Sequence, residues 1–213
     1  MRNRFDRQLD LLNEELTAMG AMCEESIALV AKALSDGDLT LAEKVRSESE
    51  TIDSMEREIE NHCMKLLLHQ QPVAKDLRQI SAALKMITDM ERIGDQAEDI
   101  AEIAATAKKK MLKKSKHIQR MAAATIDMVN KSVEAFIKKD LLVTEEVSHN
   151  DDVVDALFEE IVNDLVDIIK KDEGTSEVLD MLMVAKYFER IGDHAVNIAE
   201  WVQFSITGEH KRL

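Results

Sequence analysis

The chain has 213 residues, of which 45% are hydrophobic and 33% charged, and its formal net charge is −14. This apolar content supports a buried core, whereas the negative charge disfavours nonspecific nucleic-acid binding and suits cations or basic protein surfaces. No apolar run approaches the roughly 18 residues of a membrane span, and no signal-peptide pattern is present, so we expect a cytoplasmic protein. Cys23 and Cys63 lack a CxxC spacing and are expected to be reduced thiols.

A single Pro and six Gly interrupt a sequence rich in strong helix formers, which favours long helices. Breaks in the helical pattern fall at residues 35–38, 70–72, 108–116, 138–140 and 171–175. These breaks predict six helices of roughly 24 to 34 residues, joined by short connections and packed as antiparallel bundles. The lysine-rich residues 108–116 form either a solvated junction or a contact for an acidic partner or the membrane surface.

An internal repeat divides the chain into two units. Residues 91–102 read ERIGDQAEDIAE and residues 189–200 read ERIGDHAVNIAE, with nine of twelve positions identical. Two blocks further upstream also match, at an offset of 102 residues instead of 98. We therefore predict an all-α fold of two tandem, pseudo-symmetric three-helix bundles, comprising residues 1–110 and 111–213.

The repeated segments carry oxygen-bearing side chains at helical spacing. They are Glu91, Asp95 and Asp99 in the first unit and Glu189, Asp193 and Asn197 in the second. Like charges at i and i+4 destabilise a helix by about 0.2–0.5 kcal/mol per pair, so some compensating interaction is expected. Arg92 lies about 100° further round the helix and is predicted to be poorly placed to serve both carboxylates. Ligand sets made only of oxygen select hard cations such as Mg²⁺, Ca²⁺, Mn²⁺ or ferric iron.

Counting residues back from each hairpin turn supplies partners on the preceding helix. In the second unit, Asp151 and Asp155 stand level with the two repeated acids, giving four carboxylates at one height. In the first unit, Asp53 stands level with Glu91, but Ser49 occupies the position of the fourth acid. On this count, the second unit is expected to bind a cation more strongly.

Another interpretation of the acidic residues stays open. Apolar residues such as Ile93 and Ala97 lie on the opposite face of the helix, which is also typical of a solvated acidic stripe without any ligand. The helix-interior residues Gly94 and Gly192 occupy equivalent positions and indicate close approach of a neighbouring helix or a ligand.

Taken together, the tandem ERIGDxAxxIAE segments resemble the PhoU family over essentially the whole chain. The resemblance implies a cytoplasmic accessory protein that links the phosphate ABC transporter to a sensor histidine kinase and negatively regulates phosphate uptake and phosphate-responsive transcription. It also implies homodimers, partners in the transporter ATPase subunit and the kinase, and attachment to the membrane only through partners. The metal ligands implied by position are Asp53, Glu91, Asp95, Asp99, Asp151, Asp155, Glu189, Asp193 and Asn197. Iron, zinc, manganese or magnesium are the ions expected there.

No nucleophile elbow, P-loop, GxGxxG segment or zincin motif is present, so we do not expect an enzyme. Two functions remain open from the sequence. One is a phosphate-signalling adaptor, and the other is a metal-binding or metal-storing helical protein without a signalling role.

Overall fold

Long α-helices account for nearly all of the computed structural model, which describes residues 2–69, 72–106, 116–171 and 175–210. Within these ranges there are six helices and no strand: α1 (Arg2–Asp36), α2 (Leu39–His69), α3 (Ala74–Thr106), α4 (Lys116–Lys138), α5 (Leu141–Lys170) and α6 (Thr175–Thr207). The predicted helix number and fold class are confirmed. The boundary predicted at residues 110/111 and most of the lysine-rich segment lie outside the described residues.

The first hairpin turn of each unit contains a residue in the left-handed conformation, followed by an aspartate that caps the next helix. Gly37 after α1 and Lys139 after α4 have φ values of 66° and 54°. The next residue in each turn, Asp38 or Asp140, accepts a hydrogen bond of 2.9 Å from the backbone nitrogen two residues later. An aspartate at this position satisfies a backbone donor that the following helix leaves unpaired. Both turns therefore combine a left-handed residue with an aspartate cap, at the repeat offset of 102 residues.

The two units pack together through their third helices and through their first helices. Helix α3 packs on α6, and α1 packs on α4, in addition to the contacts within each unit. The buried apolar side chains of the described residues form one continuous cluster, which includes Leu12 of α1, Ile52 of α2, Phe136 of α4 and Phe188 of α6. None of the described helices combines the length and apolarity that crossing a bilayer requires.

Candidate functional site

Three acidic side chains of the first unit meet between α2 and α3. Asp53 lies on α2, whereas Glu91 and Asp95 lie one turn apart on α3. One carboxylate oxygen from each residue lies within 4.8 Å of the other two, and all three residues are partly buried. The hairpin register expected from the sequence, with Asp53 level with Glu91, therefore places these oxygens close enough to share one ion. We call Asp53, Glu91 and Asp95 the first-unit triad.

The triad has an electrostatic cost that Arg92 partly offsets. Burial raises the pKa of Glu91, and the neighbouring Asp95 raises this pKa further, while Arg92 acts in the opposite direction. The Arg92 side chain folds back so that its Nε lies 3.4 Å from Glu91 Oε2 and its Nη1 lies 2.9 Å from Asp95 Oδ2. The prediction that Arg92 is poorly placed to serve both carboxylates is therefore wrong. A helix-wheel angle describes Cα positions, and the long, flexible arginine side chain spans the difference.

One oxygen of the triad has no protein partner. Asp53 Oδ1 is buried and has no hydrogen-bond partner among the described residues. A buried charged oxygen without a partner is costly, and it requires an explanation such as a bound water or ion. Three carboxylates this close together provide the oxygen ligands that hard cations prefer. The residues present therefore fit a small cation.

In the second unit, four acids of α5 and α6 lie close together, namely Asp151, Asp155, Glu189 and Asp193. Burial, followed by the charges of Asp155, Asp193, Asp152 and Glu189, raises the pKa of Asp151 from 3.8 to about 6. These mutual effects agree with the level register expected across α5 and α6.

Lys186 forms an ion pair with Glu189, one of these acids. In the first unit, the position of Lys186 is taken by the neutral Thr88, at the repeat offset of 98 residues. Within the described residues, the first-unit triad is the group of three acids whose oxygens approach within 4.8 Å. The number of carboxylates favours the second unit as the metal site, but the positions of the side chains favour the first unit. Lys186 could have been noticed in the sequence, because it lies three residues before Glu189.

The third residue of each motif, Asp99 or Asn197, points to the contact between the units and not to the other two motif residues. Asn197 Nδ2 donates to Asp89 Oδ1 at 3.2 Å, and the Tyr187 hydroxyl hydrogen-bonds the carboxylate of Asp99. His194 Nδ1 also lies 2.9 Å from Asp89 Oδ1. Asp89 and Tyr187 are equivalent in the repeat, as are Asp99 and Asn197, so the two contacts are related by the pseudo-twofold axis. The structure does not bring Asp99 into the first-unit triad.

The motif glycines allow the preceding helix to approach α3 and α6. A Cβ atom at Gly94 would lie 3.1 Å from Ile52 Cδ1, and one at Gly192 would lie 3.1 Å from Asp151 Oδ1. The expectation of a close helix approach is confirmed. Ile52 immediately precedes Asp53, so the contact at Gly94 sets the distance at which α2 presents its carboxylate to α3.

We expect the Gly94→Ala variant to bind Mn²⁺ more weakly and to lose stability by about 0–2 kcal/mol. Overpacking a core costs about 1–3 kcal/mol, and the better helix propensity of alanine returns about 1 kcal/mol. Urea denaturation and calorimetric titration with Mn²⁺ measure the two effects. Gly192→Ala is the matched control, because its new methyl group faces Asp151 and leaves the triad unchanged. An unaltered Mn²⁺ affinity in Gly94→Ala would contradict this role of the glycine.

Comparison with known proteins decides the family. The PhoU domain matches residues 16–104 and again residues 118–202. The chain belongs to the PhoU family. It is 37% identical to the phosphate-specific transport system accessory protein PhoU homolog of Clostridium acetobutylicum, over 100% of this chain and 98% of that protein. The Synechocystis PhoU homolog is 34% identical, over 99% of this chain and 94% of its own length.

Solved PhoU structures share the fold. The crystal structure of PhoU from Pseudomonas aeruginosa has a TM-score of 0.86 and 31% identity, and the match covers 96% of this chain and 100% of that one. PhoU from Streptococcus pneumoniae has a TM-score of 0.92, with 98% and 100% covered, and at 23% identity it supports the fold alone. The two matched PhoU domains include the first-unit triad and the four acids of the second unit.

Proposed function

We propose that this PhoU-family chain is a regulatory adaptor that links the phosphate ABC transporter to a sensor histidine kinase. In this role it reduces phosphate uptake and phosphate-responsive transcription when phosphate is plentiful. The observation that carries the proposal is the pair of tandem PhoU domains, together with relatives of full length that are named accessory proteins of the phosphate-specific transport system. An adaptor of this kind acts by binding and needs no turnover of its own.

The charge of the chain supports binding to basic surfaces. Its net charge of −14 is carried by 42 acidic and 28 basic residues, and many of the acids lie on the exposed faces of the helices. Complementary charge across an interface mainly speeds association and selects partners. We therefore propose that the transporter ATPase subunit and the cytoplasmic part of the kinase present basic patches to this protein, which is held at the membrane only through them.

We further propose that the first-unit triad holds a metal ion, with iron, zinc, manganese and magnesium as the candidates. Asp53 would bind it from α2, and Glu91 and Asp95 from α3. The ion supplies positive charge that neutralises three mutually repelling carboxylates. Because the ligands come from two helices, binding would stiffen the α2–α3 hairpin.

The alternative function is metal binding or storage without a signalling role. The triad and its unpartnered Asp53 oxygen favour it, because they require no second protein. The two functions differ in a simple way, since only the adaptor binds the transporter subunit or the kinase.

We also propose that the chain forms a homodimer, which sedimentation velocity on the purified protein tests. Exposed apolar side chains on adjacent helices, among them Ile169 on α5 and Leu179 on α6, support it.

We expect the purified protein to bind the transporter ATPase subunit and the cytoplasmic kinase fragment at low salt, and to bind them more weakly as salt rises. The Debye length shrinks from about 10 Å at 0.1 M to about 3 Å at 1 M, so exposed charge pairs are screened. Titration at both ionic strengths, with and without Mn²⁺, measures the effect. Absence of binding to either partner at low salt would remove support for the adaptor, and binding independent of salt would exclude the electrostatic mechanism.

A further inference from the structure

A small cavity lies at the end of the bundle where α3 begins and where α4 and α6 end. Its volume is about 190 Å³, and six residues line it: Lys75, Gln79, Phe136, Lys139, Ser205 and Ile206. Two of these residues are cationic, two are polar and two are apolar, and none is acidic. Two lysines around one cavity are unexpected in a chain whose net charge is −14.

The cations of this cavity have no acidic partners within the described part of the chain. Lys139 Nζ donates to Gln79 Oε1 at 3.4 Å, and this is a neutral acceptor. Lys75, the other cation that lines the cavity, makes no ion pair within the described residues. The acids nearest in sequence are engaged elsewhere: Asp76 accepts from the backbone nitrogen of Val73, and Asp140 from that of Leu142. Neither acid pairs with a lysine of the cavity, so the ammonium donors of both lysines are available to a ligand.

The backbone at Lys139 supplies an independent observation. Its φ of 54° is left-handed, a conformation that costs a residue with a Cβ atom roughly 1–2 kcal/mol. The equivalent residue of the first unit is Gly37, which adopts a φ of 66° at no such cost. The hydrogen bond of 3.1 Å from Asp140 N to Ala135 O closes the turn in the pattern that normally uses glycine. A lysine at this position is unfavourable for the turn, but it brings an ammonium group to the cavity.

A buried amide accepts a hydrogen bond from that ammonium group. Gln79 is only 7% exposed, and its Nε2 donates to Asn13 Oδ1 at 3.3 Å. This bond leaves Gln79 Oε1 to accept from Lys139, so the amide orientation is determined from α1. An ammonium group has three donors, and Gln79 uses one of them. The remaining donors of Lys139, together with those of Lys75, are available for an anion.

We propose that Lys75 and Lys139 bind a small oxyanion of the phosphate type in this cavity. Lysine ammonium groups bind such anions as point charges, and the cavity is several times the volume of a water molecule. The anion is either free in solution or part of a lipid headgroup. The exposed Leu142, three residues after Lys139, would accompany the headgroup at a membrane surface. This inference is independent of the proposed adaptor role and of the first-unit triad.

The test compares the Lys139→Gly variant with the wild-type protein. We expect inorganic phosphate to raise the melting temperature of the wild type and to give a saturable calorimetric signal. Removing one charge-assisted contact should weaken this binding about tenfold or more. Because glycine suits the left-handed turn, as Gly37 does in the first unit, the melting temperature of Lys139→Gly without phosphate should be equal to or higher than that of the wild type. If Lys139 served only to stabilise the turn, Lys139→Gly would melt at a lower temperature and would bind phosphate as the wild type does.

Lys138→Gln is the matched control, because Lys138 is adjacent, exposed and already paired with Glu134. Its phosphate affinity should equal that of the wild type. Binding to phosphatidylglycerol vesicles but not to free phosphate, with loss in Lys139→Gly, would identify the headgroup as the source and would support the proposal. The proposal is overturned if neither probe binds, if Lys139→Gly binds as the wild type does, or if Lys138→Gln weakens binding equally.

Discussion

Replacing Asp151 by asparagine should stabilise the metal-free protein at about pH 7 by about 1–2 kcal/mol. Burial and the surrounding acids raise the pKa of Asp151 from 3.8 to about 6. At neutral pH the folded protein therefore carries a negative charge on Asp151 that its surroundings destabilise. A shift of that size corresponds to about 3 kcal/mol, which partial exposure to solvent reduces. Asparagine has nearly the same shape and carries no charge, so it also relieves the repulsion on Asp155 and Asp193.

The pH dependence of this effect has a definite sign. Because the folded pKa of Asp151 lies above the unfolded value of 3.8, the carboxylate lowers stability above about pH 6, and protonation removes this penalty as the pH falls toward 4. The advantage of Asp151→Asn should therefore be largest above pH 6 and vanish near pH 4. Urea denaturation in the presence of a chelator measures it. Asp152→Asn, which changes an exposed neighbour, should have little effect, and a pH-independent gain in Asp151→Asn would contradict the explanation.

The Asp95→Asn variant should lose affinity for Mn²⁺ by at least about 100-fold. Removing even an outer-shell partner of a metal ligand commonly costs about 10- to 100-fold, and here one of three charged ligands is lost. The fold should persist, because the contact of Asp95 with Arg92 is partly exposed and contributes about 0–1 kcal/mol. Calorimetric titration with Mn²⁺ and elemental analysis of the purified protein measure the loss.

Two controls separate the first-unit triad from the other predicted ligands. Asp99→Asn alters a carboxylate that contacts Tyr187 at the interface of the units, and Asp193→Asn alters the second unit. Both should retain the Mn²⁺ affinity of the wild type. If Asp193→Asn lost as much affinity as Asp95→Asn, the number of carboxylates would matter more than their positions, and the second unit would be the stronger site. Unchanged affinity in Asp95→Asn would exclude the triad.

The sequence predicts the helices and their register because both depend on local properties. Breaks at Gly, Pro and polar clusters define the helices, and the constant rise per residue places Asp53 beside Glu91 once the hairpin turn is located. The left-handed conformation of Lys139 was not predicted, although residues 138–140 were identified as a break. Nothing local distinguishes a lysine that ends a helix in this conformation, and only comparison with Gly37 reveals it.

The side-chain positions depend on packing between distant helices, which spacing alone does not determine. Asp99 and Asn197 continue the motif spacing, yet they point to the contact between α3 and α6 because the two units pack there. The reach of Arg92 to two carboxylates and the pairing of Lys186 with Glu189 depend on flexible side chains. These features decide which acids are available to a cation, so the count of carboxylates favours the second unit while the geometry favours the first.

The proposed regulatory role is tested most directly in cells. The gene is deleted in its own host, and expression from a phosphate-responsive promoter is measured in phosphate-rich medium, with the wild-type gene returned as the control. The adaptor role predicts that deletion raises expression to the level of phosphate-starved cells and that the returned gene restores repression. Expression that stays at the phosphate-rich level after deletion would contradict negative regulation by this protein.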